Sequence, residues 1–204
     1  MSYLTDEEKA ERIKQWWANN GMAIVAGLVL GVGGLFGWNW WSDREESRAQ
    51  VASEMYQALQ VAGQTGQTDR ALELADAVIE QGRGTPYRAL AWVYRADVAI
   101  AQDDTDTAID ALQAARDAAP DRGYREVLTL RLARQMILAE RLDDAEATLA
   151  DVRSDAFTGL KRELEGDLAR ARGDRERARE HYEAALDAGH SPEYLRLKYE
   201  ELSV

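Results

Sequence analysis

Few side chains in this sequence are of the types that catalyse reactions or hold metals. It has two histidines, His181 and His190, and no cysteine. The missing thiols remove disulfides, thiol nucleophiles, cysteine-bound zinc and lipoprotein acylation together. Asp104-Thr-Asp106 begins like a calcium loop. However, the fifth loop position is Ala108, the sixth is Ile109 where the turn needs glycine, and the twelfth is Ala115 where a bidentate glutamate should close the shell. There is no HExxH, GxSxG, P-loop or Rossmann glycine pattern. His181 reads as an ordinary, partly exposed helix residue and the remaining carboxylates as solvated helix faces. The chemistry predicts no enzyme, no metal and no cofactor.

The elements around these residues are helices. Alanine, leucine, arginine, glutamate and aspartate dominate, and β-branched residues are sparse after position 50. The formal net charge is −12 over 204 residues. An acidic chain without clustered lysine and arginine has no electrostatic footprint for nucleic acid. The charge serves solubility or reflects a salty environment.

The run 21–41 contains no charged side chain. Its length, at 1.5 Å per residue, is roughly 31 Å, enough to cross a hydrocarbon core. Trp16 and Trp17 precede it, and Trp38, Trp40 and Trp41 close it. Indole rings favour the headgroup level, so the tryptophans form two interfacial belts. This predicts a single transmembrane helix. A cleaved signal peptide fits poorly, because the start is acidic, the apolar region is too long and no small-x-small cleavage site follows. Residues 1–20 then form a short tail. Thr5 and Glu8 have capping-box spacing, and Ala10, Ile13 and Trp17 share one face of an amphipathic lead-in; an inert frayed tail is the alternative. Three basic residues before the span against two just after it favour a cytoplasmic N-terminus only weakly. Gly27 with Gly31, and Gly33 with Gly37, form two GxxxG pairs. Such pairs let a second helix approach closely, although glycine is common in membrane helices anyway.

Residues 42–204 read as one soluble body. Ser42 and Glu45 repeat the capping-box spacing and predict a fresh helix to about Ala62, followed by a break over 63–68 and a helix over 69–81. From Ala89 to Pro120 the tetratricopeptide (TPR) pattern appears: Trp92 early, small Ala96, then Ala108, Leu112 and Ala115 on the second helix. Ala133, Ala145, Leu149 and Val152 repeat this register, as do Gly166, Ala178, Tyr182 and Ala185. Ala71 and Val78 suggest a weak opening copy, and a last helix over 192–202 caps the stack. The expectation is an all-α chain: one transmembrane helix, then a TPR-like solenoid of about four helix pairs with a C-terminal capping helix. Its concave face should present Tyr56, then Leu90, Val93 and Asp97, then Val127, Leu130 and Arg134. That mixture suits an extended segment or a partner's helix. It equally suits core or plain solvent-facing positions.

The stretch Ile13-Lys-Gln-Trp-Trp-Ala-Asn-Asn-Gly21, the span Gly31-Val-Gly-Gly-Leu-Phe-Gly-Trp38, and the stretches Leu130-Arg-Leu-Ala-Arg134 and Gly166-Asp-Leu-Ala-Arg-Ala-Arg-Gly-Asp174 together resemble the YfgM family, the ancillary subunits of the SecYEG translocon in Gram-negative bacteria. The resemblance implies a cytoplasmic N-terminus, a periplasmic body and an inner-membrane location. It implies association with the PpiD-like membrane-anchored chaperone beside the translocon, and help to unfolded secretory chains leaving the channel. The sequence departs from the family by being more acidic and richer in arginine. A scaffold that docks one folded partner, and an envelope-stress regulator acting through the tail, remain as alternatives.

Overall fold

The computed structural model describes residues 6–202, without the side chains of residues 6–8, 24, 39, 41 and 43. The Thr5 cap and the side chain of Trp41 therefore lie outside the described residues. The chain divides into two compact units, one ending at Ser47 and one beginning at Arg48. Every regular element among the described residues is helical. In order these are α1 (Asp6–Gln64), α2 (Thr68–Gln81), α3 (Pro86–Ala101), α4 (Thr105–Asp117), α5 (Arg122–Leu138), α6 (Leu142–Ala150), α7 (Thr158–Ala171), α8 (Arg175–Asp187) and α9 (Glu193–Leu202), with a 3₁₀ turn at Asp155–Phe157.

The first difference from expectation is at Ser42. No helix begins there, because α1 runs unbroken past it. A capping side chain only competes where the backbone has reason to leave the helix. Residues 38–62 hold no glycine or proline, and Arg44, Glu45, Glu46, Arg48 and Ala49 are all good helix formers. The Ser42–Glu45 spacing is thus coincidental.

In the second unit, the small residues that set the repeat register are buried. Ala96, Ala108, Leu112, Ala115, Ala133 and Ala145 are fully or almost fully inaccessible, as are Ala178, Tyr182 and Ala185. The opening copy is complete, with Leu59, Ala71, Ala75 and Val78 at zero exposure. Leu59 stands where the later pairs carry Ala96, Ala133 and Gly166, which is why the copy is faint in the sequence. The four pairs are the end of α1 with α2, α3 with α4, α5 with α6, and α7 with α8; α9 packs on α8.

Every pair turns the same way. A left-handed residue closes the first helix at Gly66, Asp103, Glu140 and Gly173, with φ of 73°, 57°, 58° and 82°. The next amide donates back to the carbonyl five residues earlier in each case: Gln67 to Ala62, Asp104 to Ala99, Arg141 to Met136 and Asp174 to Ala169, all at 2.9 Å. This is the Schellman arrangement. Glycine takes the strained φ at two of the turns, while Asp103 and Glu140 adopt it at some cost. Asp104 and Asp174 then cap the second helix, accepting from the amides of Thr107 and Arg177. Gly166 is needed for a different reason, since a Cβ there would overlap the Tyr182 ring.

Candidate interaction surfaces

In the first unit, one helical stretch, Lys9–Trp38, is long and apolar enough to cross a membrane, with mean hydropathy 1.9. It is apolar and outward-facing at once: Leu28, Val29, Leu30, Leu35 and Phe36 are each more than 60% exposed. Trp16, Trp17, Trp38 and Trp40 are likewise exposed. The Trp17 ring lies against Gly21, and Arg44 sits 5.7 Å from the Trp40 ring centroid. Among the described residues nothing stands within 4 Å of the Cβ positions of Gly27, Gly31, Gly33 and Gly37.

In the second unit, ion pairs stitch the first helices of successive pairs together. Asp97 of α3 pairs with Arg131 of α5. Arg134 of α5 approaches Glu163 of α7 at 3.8 Å. Lys198 of α9 bridges Glu163 and Asp167 at 3.0 and 2.8 Å, and Arg170 of α7 approaches Glu201 of α9 at 3.6 Å. Asp97 and Arg134, expected on the concave face, are members of this ladder, and their side chains stay about half exposed. Leu90 and Val93 are half-buried and Val127 is 42% exposed. Tyr56 is half-buried, its ring 5.7 Å from that of Tyr87, a neighbour the sequence did not single out. Burial pushes the Tyr56 phenol up from its ordinary value, and burial with the nearby Tyr56 does the same for Tyr124.

Leu130 does not belong to this surface. It is 2% exposed and packs in the central core with Ile109, Leu132 and Leu164. Helix α5 contacts α4, α6 and α7, so three sides of it are covered, and beyond its exposed first turn the stripe Val127–Arg131–Arg134–Leu138 is what stays open. Residues 127 and 130 are three apart, close enough in angle to read as one face, and the packing of neighbouring helices is what separates them.

The densest polar site was not foreseen. Glu163 is 1% exposed, yet its carboxylate collects three donors from the C-terminal segment. His190 Nε2 stands 2.7 Å away, the Tyr194 hydroxyl 3.1 Å and Lys198 Nζ 3.0 Å. These residues are four apart, so they form one stripe down the entry to α9 and along it. Asp167, one turn further along α7, accepts from the Tyr182 hydroxyl at 2.7 Å and from Lys198 at 2.8 and 2.9 Å. Burial raises the Glu163 carboxyl, but hydrogen bonds from His190 and Lys198 and the charges of Lys198 and Arg134 outweigh it and hold it below its usual value. An ionised carboxylate only accepts, so His190 donates from Nε2. Burial, then the bond to Asp167, pushes the Tyr182 phenol far up. The cluster is saturated, and its chemistry is adhesion of α9. Among the described residues no group of His, Asp and Glu is placed to hold a metal ion.

Beside this cluster lies a cleft of about 830 Å³ framed by α5, α7 and α9. Its walls include Arg134, Leu138, Glu140, Leu142, Arg170 and Tyr194.

Four helix hairpins in one register, a closing helix and an apolar N-terminal helix define a repeat protein of the TPR class with one candidate membrane span. Residues 14–204 match the family model described as a tetratricopeptide repeat-like domain. A crystal structure of a thermophilic TPR protein from Thermus thermophilus shares the fold, with TM-score 0.51 and 19% identity over 85% of this chain and 95% of that one. Three proteins titled ancillary SecYEG translocon subunit are similar along nearly their whole length. That of Aggregatibacter actinomycetemcomitans is 32% identical over 92% of both chains, and that of Escherichia coli K12 is 28% identical over 99% of this chain and 98% of its own. That of Haemophilus influenzae is 28% identical over 93% of each. The chain belongs to this family, the ancillary SecYEG translocon subunits.

Proposed function

We propose that this protein is a non-enzymatic ancillary subunit of the Sec translocon, anchored in the inner membrane with its repeat body on the periplasmic side. The full-length match to ancillary SecYEG translocon subunits carries this reading. Residues 1–20 form the cytoplasmic tail, 21–41 cross the bilayer and 42–204 form the body. The body holds a PpiD-like chaperone at the channel exit and meets unfolded secretory chains there. Anchoring raises the local concentration of the body for emerging chains, so individually weak contacts suffice. The half-buried Tyr56, Leu90 and Val93 with the exposed Val127 offer such contacts, and the glycine pairs Gly27/Gly31 and Gly33/Gly37 offer a docking face within the bilayer.

A mild-detergent pull-down tests this. The wild-type chain should bring down translocon and chaperone, and replacing the four glycines by leucine should deplete them. If neither co-purifies with the wild type, the reading fails. The orientation is directly readable because the chain has no cysteine. In intact cells with a permeabilised outer membrane, an impermeant maleimide should label Gln60→Cys and spare Glu11→Cys; the reverse pattern would invert the topology.

A further inference from the structure

We propose that the cleft framed by α5, α7 and α9 docks a polypeptide segment in which a carboxylate side chain stands beside an apolar one. The choice of polypeptide rests on the proposed function, and the chemistry of the segment rests on the cleft. Its buried acceptors are used up: both oxygens of Glu163 and both of Asp167 already take hydrogen bonds from His190, Tyr194, Lys198 and Tyr182. Its donors are not. Arg134 and Arg170 have side chains 48% and 47% exposed, and their nearest carboxylates stand at 3.8 and 3.6 Å, beyond hydrogen-bond length. A guanidinium offers five donors in a planar fork that suits a carboxylate. Between them lies apolar surface, with Leu138 71% exposed and Leu142 beside it. A large apolar side chain left this open, next to two half-exposed guanidiniums held only by long ion pairs, matches an apolar residue flanked by glutamate or aspartate. Glu140, at the α5–α6 turn, is a lining carboxylate without such saturation, and it opposes an acidic guest.

The test uses the full-length chain in nanodiscs of zwitterionic lipid and a dye-labelled peptide, Glu-Leu-Glu-Leu-Glu, against its Gln-Leu-Gln-Leu-Gln counterpart. The glutamate peptide should bind, with affinity falling as salt rises. The pair Arg134→Gln with Arg170→Gln should weaken it about fivefold, as expected for two rim charges. Leu138→Asp should abolish binding, and Glu140→Gln should strengthen it. Arg179→Gln, on the exposed side of α8, should change nothing. Equal binding of the glutamine peptide overturns the proposal, as does indifference to the arginine pair or displacement by anionic lipid alone. Translocon co-purification is scored on the same variants. If it persists while the peptide fails, this inference falls and the proposed function stands.

Discussion

Glu163→Ala should destabilise the C-terminal end of the body by about 3 kcal/mol, in the range for removing one partner of a buried, hydrogen-bonded charge cluster. The substitution leaves His190, Tyr194 and Lys198 facing a hole where their shared acceptor stood. Because each repeat leans only on its neighbours, the damage should stay local. Hydrogen exchange should accelerate over α9 and its entry, and remain slow in α3 and α4. Unchanged protection of α9 would show that Leu195, Tyr199 and Leu202 hold the helix without the carboxylate. Glu163→Gln keeps the shape and one acceptor oxygen, so its effect should be smaller. The folded pKa of Glu163 lies below the unfolded one. Its contribution is therefore full above the ordinary carboxylate pKa and disappears as pH falls through the depressed value. Acid should loosen α9 in the wild type by that step, and Glu163→Gln should lack it.

The reason this cluster stayed hidden in the sequence is separation. Glu163 meets partners 27, 31 and 35 residues away. Glu163 sits in Lys161-Arg162-Glu163-Leu164-Glu165, which reads as a solvated helix face. By contrast, the repeat was legible because close helix packing writes itself locally: Ala96, Ala108, Leu112 and Ala115 lie within one hairpin, and the spacing recurs. The opening copy was fainter because Leu59 replaces the small residue, although its neighbours Ala71, Ala75 and Val78 keep the register. Of the expected inner-face residues, those whose burial depends on how three helices meet were the hardest to place. Leu130 went to the core, while Asp97 and Arg134 stay about half exposed in ion pairs with Arg131 and Glu163. The Ser42 cap failed for the opposite reason, since a local signal carries no weight where the surrounding residues all favour continuing the helix.

The first unit carries the other large expectation. Leu28→Arg with Leu30→Arg should move the protein from the membrane to the soluble fraction. Both sites are open, 67% and 76% exposed, so neither arginine would disturb packing within the helix. Each arginine near the middle of a span costs roughly 2.5–3.5 kcal/mol on insertion scales, so the pair costs about 6 kcal/mol. Sodium carbonate extraction followed by blotting reads the outcome. Retention of the double variant in the membrane pellet would mean that Lys9–Trp38 is not what anchors the chain. The repeat body should be untouched, because its cores are built from residues 52 onward. Circular dichroism should therefore show an unchanged unfolding transition for the body. Translocon co-purification should nonetheless collapse, since the weak contacts of the body lose the concentration that anchoring provides. A soluble variant that still co-purified at full yield would show that the body alone recognises the partner, and the span would be reduced to a tether.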